Sequence, residues 1–180
     1  MLRSPWTQLL LALLALALLQ GFVVKLYAVP SGSMEPTLHG GAGLNGDRIL
    51  ANRLAYAGAG PGRGDIVLFT APHGWSPPVE RSWLRTAAGW VGDATGIGPS
   101  NMNTLVKRVI AVGGDTLSCC SADGRVLLNG SPIHERYVVS DLPFEPGVLD
   151  CASTPASLRC LPEIAVPERS LLVMGDNRPS

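Results

Sequence analysis

The chain has 180 residues and a mass of 18.9 kDa, which suits one domain or a core carrying one insertion. Its residues are 46% hydrophobic and 16% charged, which excludes disorder driven by composition, and a net charge of +0 offers no field for a nucleic-acid partner. Gly 21 and Pro 15 imply many turns and short strands, so the expected fold is mainly β.

Between Ser4 and Val24 no residue is charged, and Leu9 to Leu19 is leucine and alanine alone. About 20 apolar residues at about 1.5 Å each match a hydrocarbon core of about 30 Å. Residues 6–24 are therefore expected to form a transmembrane anchor behind a short tail, 1–5. A cleaved signal peptide is the competing reading. The run exceeds the usual apolar region of about 7–15 residues, and cleavage after Ala28 would put the bulky Leu26 at the −3 position. The flanking charges, Arg3 and Lys25, only weakly favour an N-terminus inside.

Phe22 to Val29 reads as a strand leading into "VPSGSMEPTL", residues 29–38. Pro30, Gly32 and Pro36 explain a turn there, but not the Ser31-Gly32-Ser33-Met34 order. Asp47 to Tyr56 and Gly64 to Phe69 are further strand candidates, divided by glycine-rich turns. A long turn-rich insert follows at 72–103. Within it Val79, Trp83, Leu84, Trp90 and Val91 are partly compatible with one helical face, read either as a helix packing on a core or as one dipping into lipid.

Thr104 to Val112, "TLVKRVIAV", is a strong strand ended by Gly113-Gly114-Asp115. Alternation puts Leu105, Lys107, Val109 and Ala111 on one face and Arg108 on the other. Residues 116–164 carry all four cysteines and read as a β insertion, with a hairpin about Asn129-Gly130. The core resumes at 165–180 with a last strand and turn. Cys151 and Cys160 are disulfide candidates that close a short loop; Cys119 and Cys120, being adjacent, are not expected to pair with each other. No C-x-x-C spacing occurs and His39, His73 and His134 are scattered, so no metal or cofactor is expected.

Lysine occurs only at Lys25 and Lys107 among 14 basic residues. A serine hydroxyl needs a base to act as a nucleophile, and a lysine can serve once it has lost its proton. Desolvation between Leu105 and Val109 would lower the Lys107 pKa from about 10.4. A lysine reaching solvent from a strand edge is the plain alternative.

Four blocks in order behind an anchor change that balance: "PSGSMEPTL", "RGDIVLF", "LVKRVIAVGGD" and "MGDNR". Together they resemble type I signal peptidases, and the Trp-bearing insert and "CCSADGRVLLNG" resemble the actinobacterial branch. The resemblance implies an antiparallel β-sheet catalytic core with a smaller β insertion and one N-terminal transmembrane helix. It implies Ser33 as nucleophile, Lys107 as general base, and an oxyanion hole made by the Ser33 N–H and the Ser31 hydroxyl. Val29, Met34, Leu38 and Val106 would wall pockets for small side chains; Arg108, Asp176 and Arg178 would support the lysine. The implied partners are signal peptides of exported preproteins, the lipid bilayer and a secretion translocase nearby, at the plasma membrane with the catalytic part outside the cytoplasm. An anchored binding module that kept the fold and lost activity is the alternative. Family members continue past the Gly-Asp-Asn-Arg turn with a serine that bonds the lysine, then Asp and Arg. Ser180 falls one position before that serine, so residues 1–180 are expected to be part of a longer protein and nearly inactive alone.

Overall fold

The structure is a computed structural model that describes residues 4–29, 31–41, 45–72, 74–75, 82–95 and 104–179. It divides into two compact units: Met1–Val29, Arg48–Gly60 and Leu68–Leu105 form one, and Pro30–Asp47, Pro61–Val67 and Val106–Ser180 the other. The architecture is mainly β, with antiparallel sheets and few helices.

In the first unit, helix α1 spans Pro5–Phe22. Pro5 sits in the first turn, where its missing N–H would have had no helical partner. The helix is long and apolar enough to cross a membrane, and none of its residues is buried within the protein. It ends two residues before the expected boundary because the chain turns at once into strand β1, Val24–Ala28. β1 pairs antiparallel with β2, Arg48–Asn52, with Lys25 opposite Ala51 and Tyr27 opposite Ile49. Lys25 is buried, its ammonium 5.4 Å from the centre of the Tyr27 ring.

Helix α2, Trp83–Thr95, completes this unit and packs against α1. The core-packing reading of its apolar residues is not met. Trp83, Leu84 and Trp90 are all exposed, whereas Gly89 is buried and Thr86 half-buried. Small residues face inward and let the backbone approach, which leaves the large ones outside. Val79 and the side chain of Val91 lie outside the described residues.

Strand β3 is Ile66–Thr70, β4 is Thr104–Val112 and β9 is Leu171–Met174; they form a sheet in the order β3-β4-β9. β4 has the bounds its continuous apolar run implies. Its pairing with β9 sets Arg108 opposite Met174 and Val109 opposite Val173, then shifts register before Ala111. The bulge interrupts the alternation, so Ala111 does not simply continue the Lys107–Val109 face; Val109, Ile110 and Ala111 are all buried.

The cysteine-bearing region of the second unit is a four-stranded sheet in the order β7-β6-β5-β8. Its strands are β5 (Thr116–Cys119), β6 (Val126–Leu128), β7 (Ser131–Pro132) and β8 (Leu161–Ala165). The β6–β7 turn holds Asn129 at φ 52 and Gly130 at φ 75, the left-handed pair that an Asn-Gly hairpin supplies. The core gathers Ile110 and Ala111 from β4 with Leu117, Cys119, Val126 and Val166. Cys151 and Cys160 are joined, their Cα atoms 5.5 Å apart. Contrary to expectation, Cys119 and Cys120 are also joined to each other. The expectation assumed a trans peptide; here the peptide between them is cis and the Cα atoms approach to 3.0 Å, which lets the two sulfurs meet.

Candidate active site

The Ser-Gly-Ser segment forms a short 3-10 turn, Gly32–Met34, entered from an extended Ser31. The hydroxyl oxygens of Ser31 and Ser33 lie 3.4 Å apart. Met34 anchors the turn from below, with its side chain fully buried. Gly40 packs directly on the backbone of Ser31 and Gly32, so close that any Cβ there would collide with both. Glycine is required at 40 to support the turn, which the sequence alone did not indicate.

The turn is held from its other side by the segment after β9. Asn177 donates its backbone N–H to the Ser33 carbonyl (3.1 Å) and its side-chain amide to the Gly32 carbonyl (3.2 Å). Gly175 lies against the same Ser33 carbonyl, and a Cβ built on it would stand 3.3 Å from the Lys107 Nζ. One methyl-sized position thus touches both the serine turn and the lysine. Lys107 is half-buried on β4, and loss of water pushes its pKa down, opposed by the charge of Asp176.

Asp176 is fully buried, and its carboxylate accepts three hydrogen bonds, two from Arg108 and one from Thr37. Arg108 binds it with two nitrogens, Nε at 2.9 Å and Nη2 at 2.7 Å, and Thr37 donates its hydroxyl at 2.5 Å. This pairing holds the Arg108 pKa above its usual value. Arg108 also donates to the Gly64 carbonyl at 2.9 Å, which ties the Arg-Gly-Asp segment to the site.

Arg178 does not bind Asp176. It donates to the Gly175 carbonyl at 2.8 Å and to Glu135 at 2.5 Å. Glu135 also accepts the Tyr137 hydroxyl at 2.9 Å, and the Tyr137 ring lies under the Arg108 guanidinium, 4.1 Å from its carbon. Burial, with the Glu135 charge second, pushes the Tyr137 pKa up. Glu135 and Tyr137 were missed in the sequence: they sit in an irregular stretch where no periodicity marks them. Thr37 and Asn177 stood inside the quoted blocks and could have been found there.

Of the expected pocket residues, Met34 and Val106 are buried and Leu38 is half-buried in the second unit; Val29 is buried in the first. The sulfurs of Cys120, Cys151 and Cys160 lie within 4.8 Å of one another, but all are in disulfides and offer no thiolate to a metal.

A family model described as signal peptidase, peptidase S26, matches residues 3–180. The chain belongs to that family. Signal peptidase I of Mycobacterium tuberculosis (strain CDC 1551 / Oshkosh) is 37% identical over 166 residues, which cover 87% of this chain and 53% of the relative. A probable signal peptidase I of Mycobacterium leprae is 37% identical over 190 residues, covering 96% of this chain and 61% of the relative. A cyanobacterial signal peptidase I, from Leptolyngbya laminosa, is 32% identical over 157 residues, 87% of this chain and 57% of the relative. The chain therefore spans little more than half the length of these signal peptidases, and its likeness to the mycobacterial ones marks it as an actinobacterial-like member of the type I group.

Proposed function

We propose that this signal peptidase is a membrane-anchored serine endopeptidase that removes signal peptides from exported preproteins by a Ser33–Lys107 dyad. The neutral Lys107 amine takes the proton from the Ser33 hydroxyl as its oxygen attacks the scissile carbonyl. The oxyanion that forms is held by the Ser33 N–H and the Ser31 hydroxyl. Lys107 passes its proton to the leaving amine, and the C–N bond breaks to leave an ester on Ser33. Water then attacks the ester, giving its proton to Lys107; the ester bond breaks and Ser33 regains a proton. Met34, Leu38 and Val106 would restrict the positions before the cut to small side chains. In this reading α1 anchors the protein in the plasma membrane with the catalytic part outside the cytoplasm, near the translocase.

The observation that carries this reading is the half-buried, partly desolvated Lys107 amine beside the same glycine that touches the Ser33 carbonyl. The test incubates detergent-solubilised protein, carried to the length of its mycobacterial relatives, with a preprotein and compares it with Ser33→Ala. Cleavage lost in a variant that still melts like the parent supports the nucleophile. Equal low conversion by both favours the anchored binding module.

A further inference from the structure

Helix α2 leaves its largest apolar side chains uncovered. Trp83 is 77% exposed, Trp90 73% and Leu84 62%, values too high for residues of a core helix. Trp83, Ala87 and Trp90 follow one another at spacings of four and three and share one side of the helix, with Leu84 at its border. Thr86 and Gly89 occupy the adjoining side and are the residues turned inward. Arg85, two positions after Trp83, points away from the tryptophans and is exposed. The helix is amphipathic, and nothing among the described residues covers its apolar side.

What covers that side follows from what α2 touches. It packs on α1, the helix long and apolar enough to cross a membrane. With 13 residues, α2 reaches about 20 Å and cannot cross about 30 Å of hydrocarbon itself. Tryptophan favours the boundary between headgroups and acyl chains, where its ring is dry and its N–H meets water. We propose that α2 lies along this boundary beside α1, with Trp83, Leu84 and Trp90 seated in lipid and Arg85 turned to the headgroups and water. The occupant of the apolar side is the bilayer itself. The inference rests on α1 crossing the membrane and is independent of the Ser33–Lys107 chemistry.

The experiment uses the full chain in phosphatidylcholine vesicles, with Trp6→Phe and Trp75→Phe so that only Trp83 and Trp90 emit. A companion protein keeps Trp6 alone and reports on α1. Phosphatidylcholine brominated high on the acyl chain is expected to quench most of the Trp83 and Trp90 emission, with a blue-shifted spectrum and little quenching by aqueous acrylamide. Emission like that of tryptophan in water, quenched by acrylamide and not by bromolipid, overturns the proposal. So does protection that fades when protein is diluted into excess lipid, because a second copy would then be the cover. Failure to quench Trp6 in the companion removes the premise that α1 is inserted, and the proposal with it. Signal-peptide cleavage is not read at any point, so failure here leaves the catalytic reading standing on its own test.

Discussion

The guanidinium of Arg108 lies 4.1 Å from the centre of the Tyr137 ring while both of its outer donors face Asp176 and Gly64. Arg108 is on β4, next to the lysine; Tyr137 comes from the irregular stretch after β7. The same stretch sends Glu135 to Arg178, in the turn after β9. The cysteine-bearing region thus closes over the arginine that neutralises Asp176 and over the turn that carries it. A displaced Arg108 would leave the Asp176 charge acting on Lys107 without a counter-ion.

Tyr137→Leu is therefore expected to slow cleavage and to move its pH profile. A desolvated cation–π contact is worth about 0.5–2 kcal/mol, or about two- to thirty-fold in rate. With Arg108 less firmly held, Asp176 favours the charged Lys107 more, so the rising limb of kcat/KM should shift to higher pH. Tyr137→Phe keeps the ring and should fall between. A variant whose rate drops at every pH with the limb unmoved would point to a packing role alone.

Lys107 supplies two linked expectations. In the proposed dyad activity requires the neutral amine, so the rate should rise with pH and level off above a pKa below the ordinary value of about 10.4. Lys107→Arg should be as inactive as Lys107→Ala, because arginine does not release its proton at any usable pH. Stability follows the same shift. The folded state binds protons less well at this site than the unfolded chain, so stability rises with pH between the folded and unfolded values. Lys107→Met should melt higher than the parent at pH 7, and the gap should narrow as pH climbs through that window. Thermal melts across pH measure it; a constant gap would contradict desolvation as the cause.

The readable parts of the fold were those fixed by local chemistry. The run of β-branched and apolar residues from Thr104 to Val112 is β4 with the same ends, and Asn129-Gly130 turns the β6–β7 hairpin. The anchor-like helix announces itself by an uncharged stretch of leucine and alanine. What could not be read depends on approach across the chain. The bulge at Ile110 arises from pairing with β9, which single-strand alternation cannot register. Gly40 and Gly175 look like any turn glycines until the Ser31–Ser33 backbone is seen beside them. The exposed side of α2 misleads because an apolar stripe carries the same pattern whether protein or lipid covers it.

Non-reducing peptide mapping is expected to recover Cys151 linked to Cys160, and a peptide holding Cys119 and Cys120 lighter by two hydrogens. Replacing Cys151 and Cys160 together by serine should cost about 2–4 kcal/mol, read as a lower Tm, since the link restricts the unfolded chain. Free thiols at all four positions would contradict both pairings.

Gly175→Ala tests the closeness of the turn and the lysine most directly. The backbone at 175 lies in ordinary φ space, so alanine meets no conformational barrier there; the obstacle is steric. Its methyl would collide with the Ser33 carbonyl, which already accepts the Asn177 N–H, and would crowd the Lys107 amine. The turn must then retreat from the lysine, and a displacement of about 1 Å can cost on the order of 10²-fold in rate. The loss should fall on kcat more than on KM, because Leu38 and Val106 of the proposed pocket lie outside the displaced turn. Gly58→Ala, where nothing stands near the added methyl, should keep both constants and serves as the control. Full kcat in Gly175→Ala would show that the serine turn and Lys107 do not need this contact distance, and the dyad would have to be sought elsewhere.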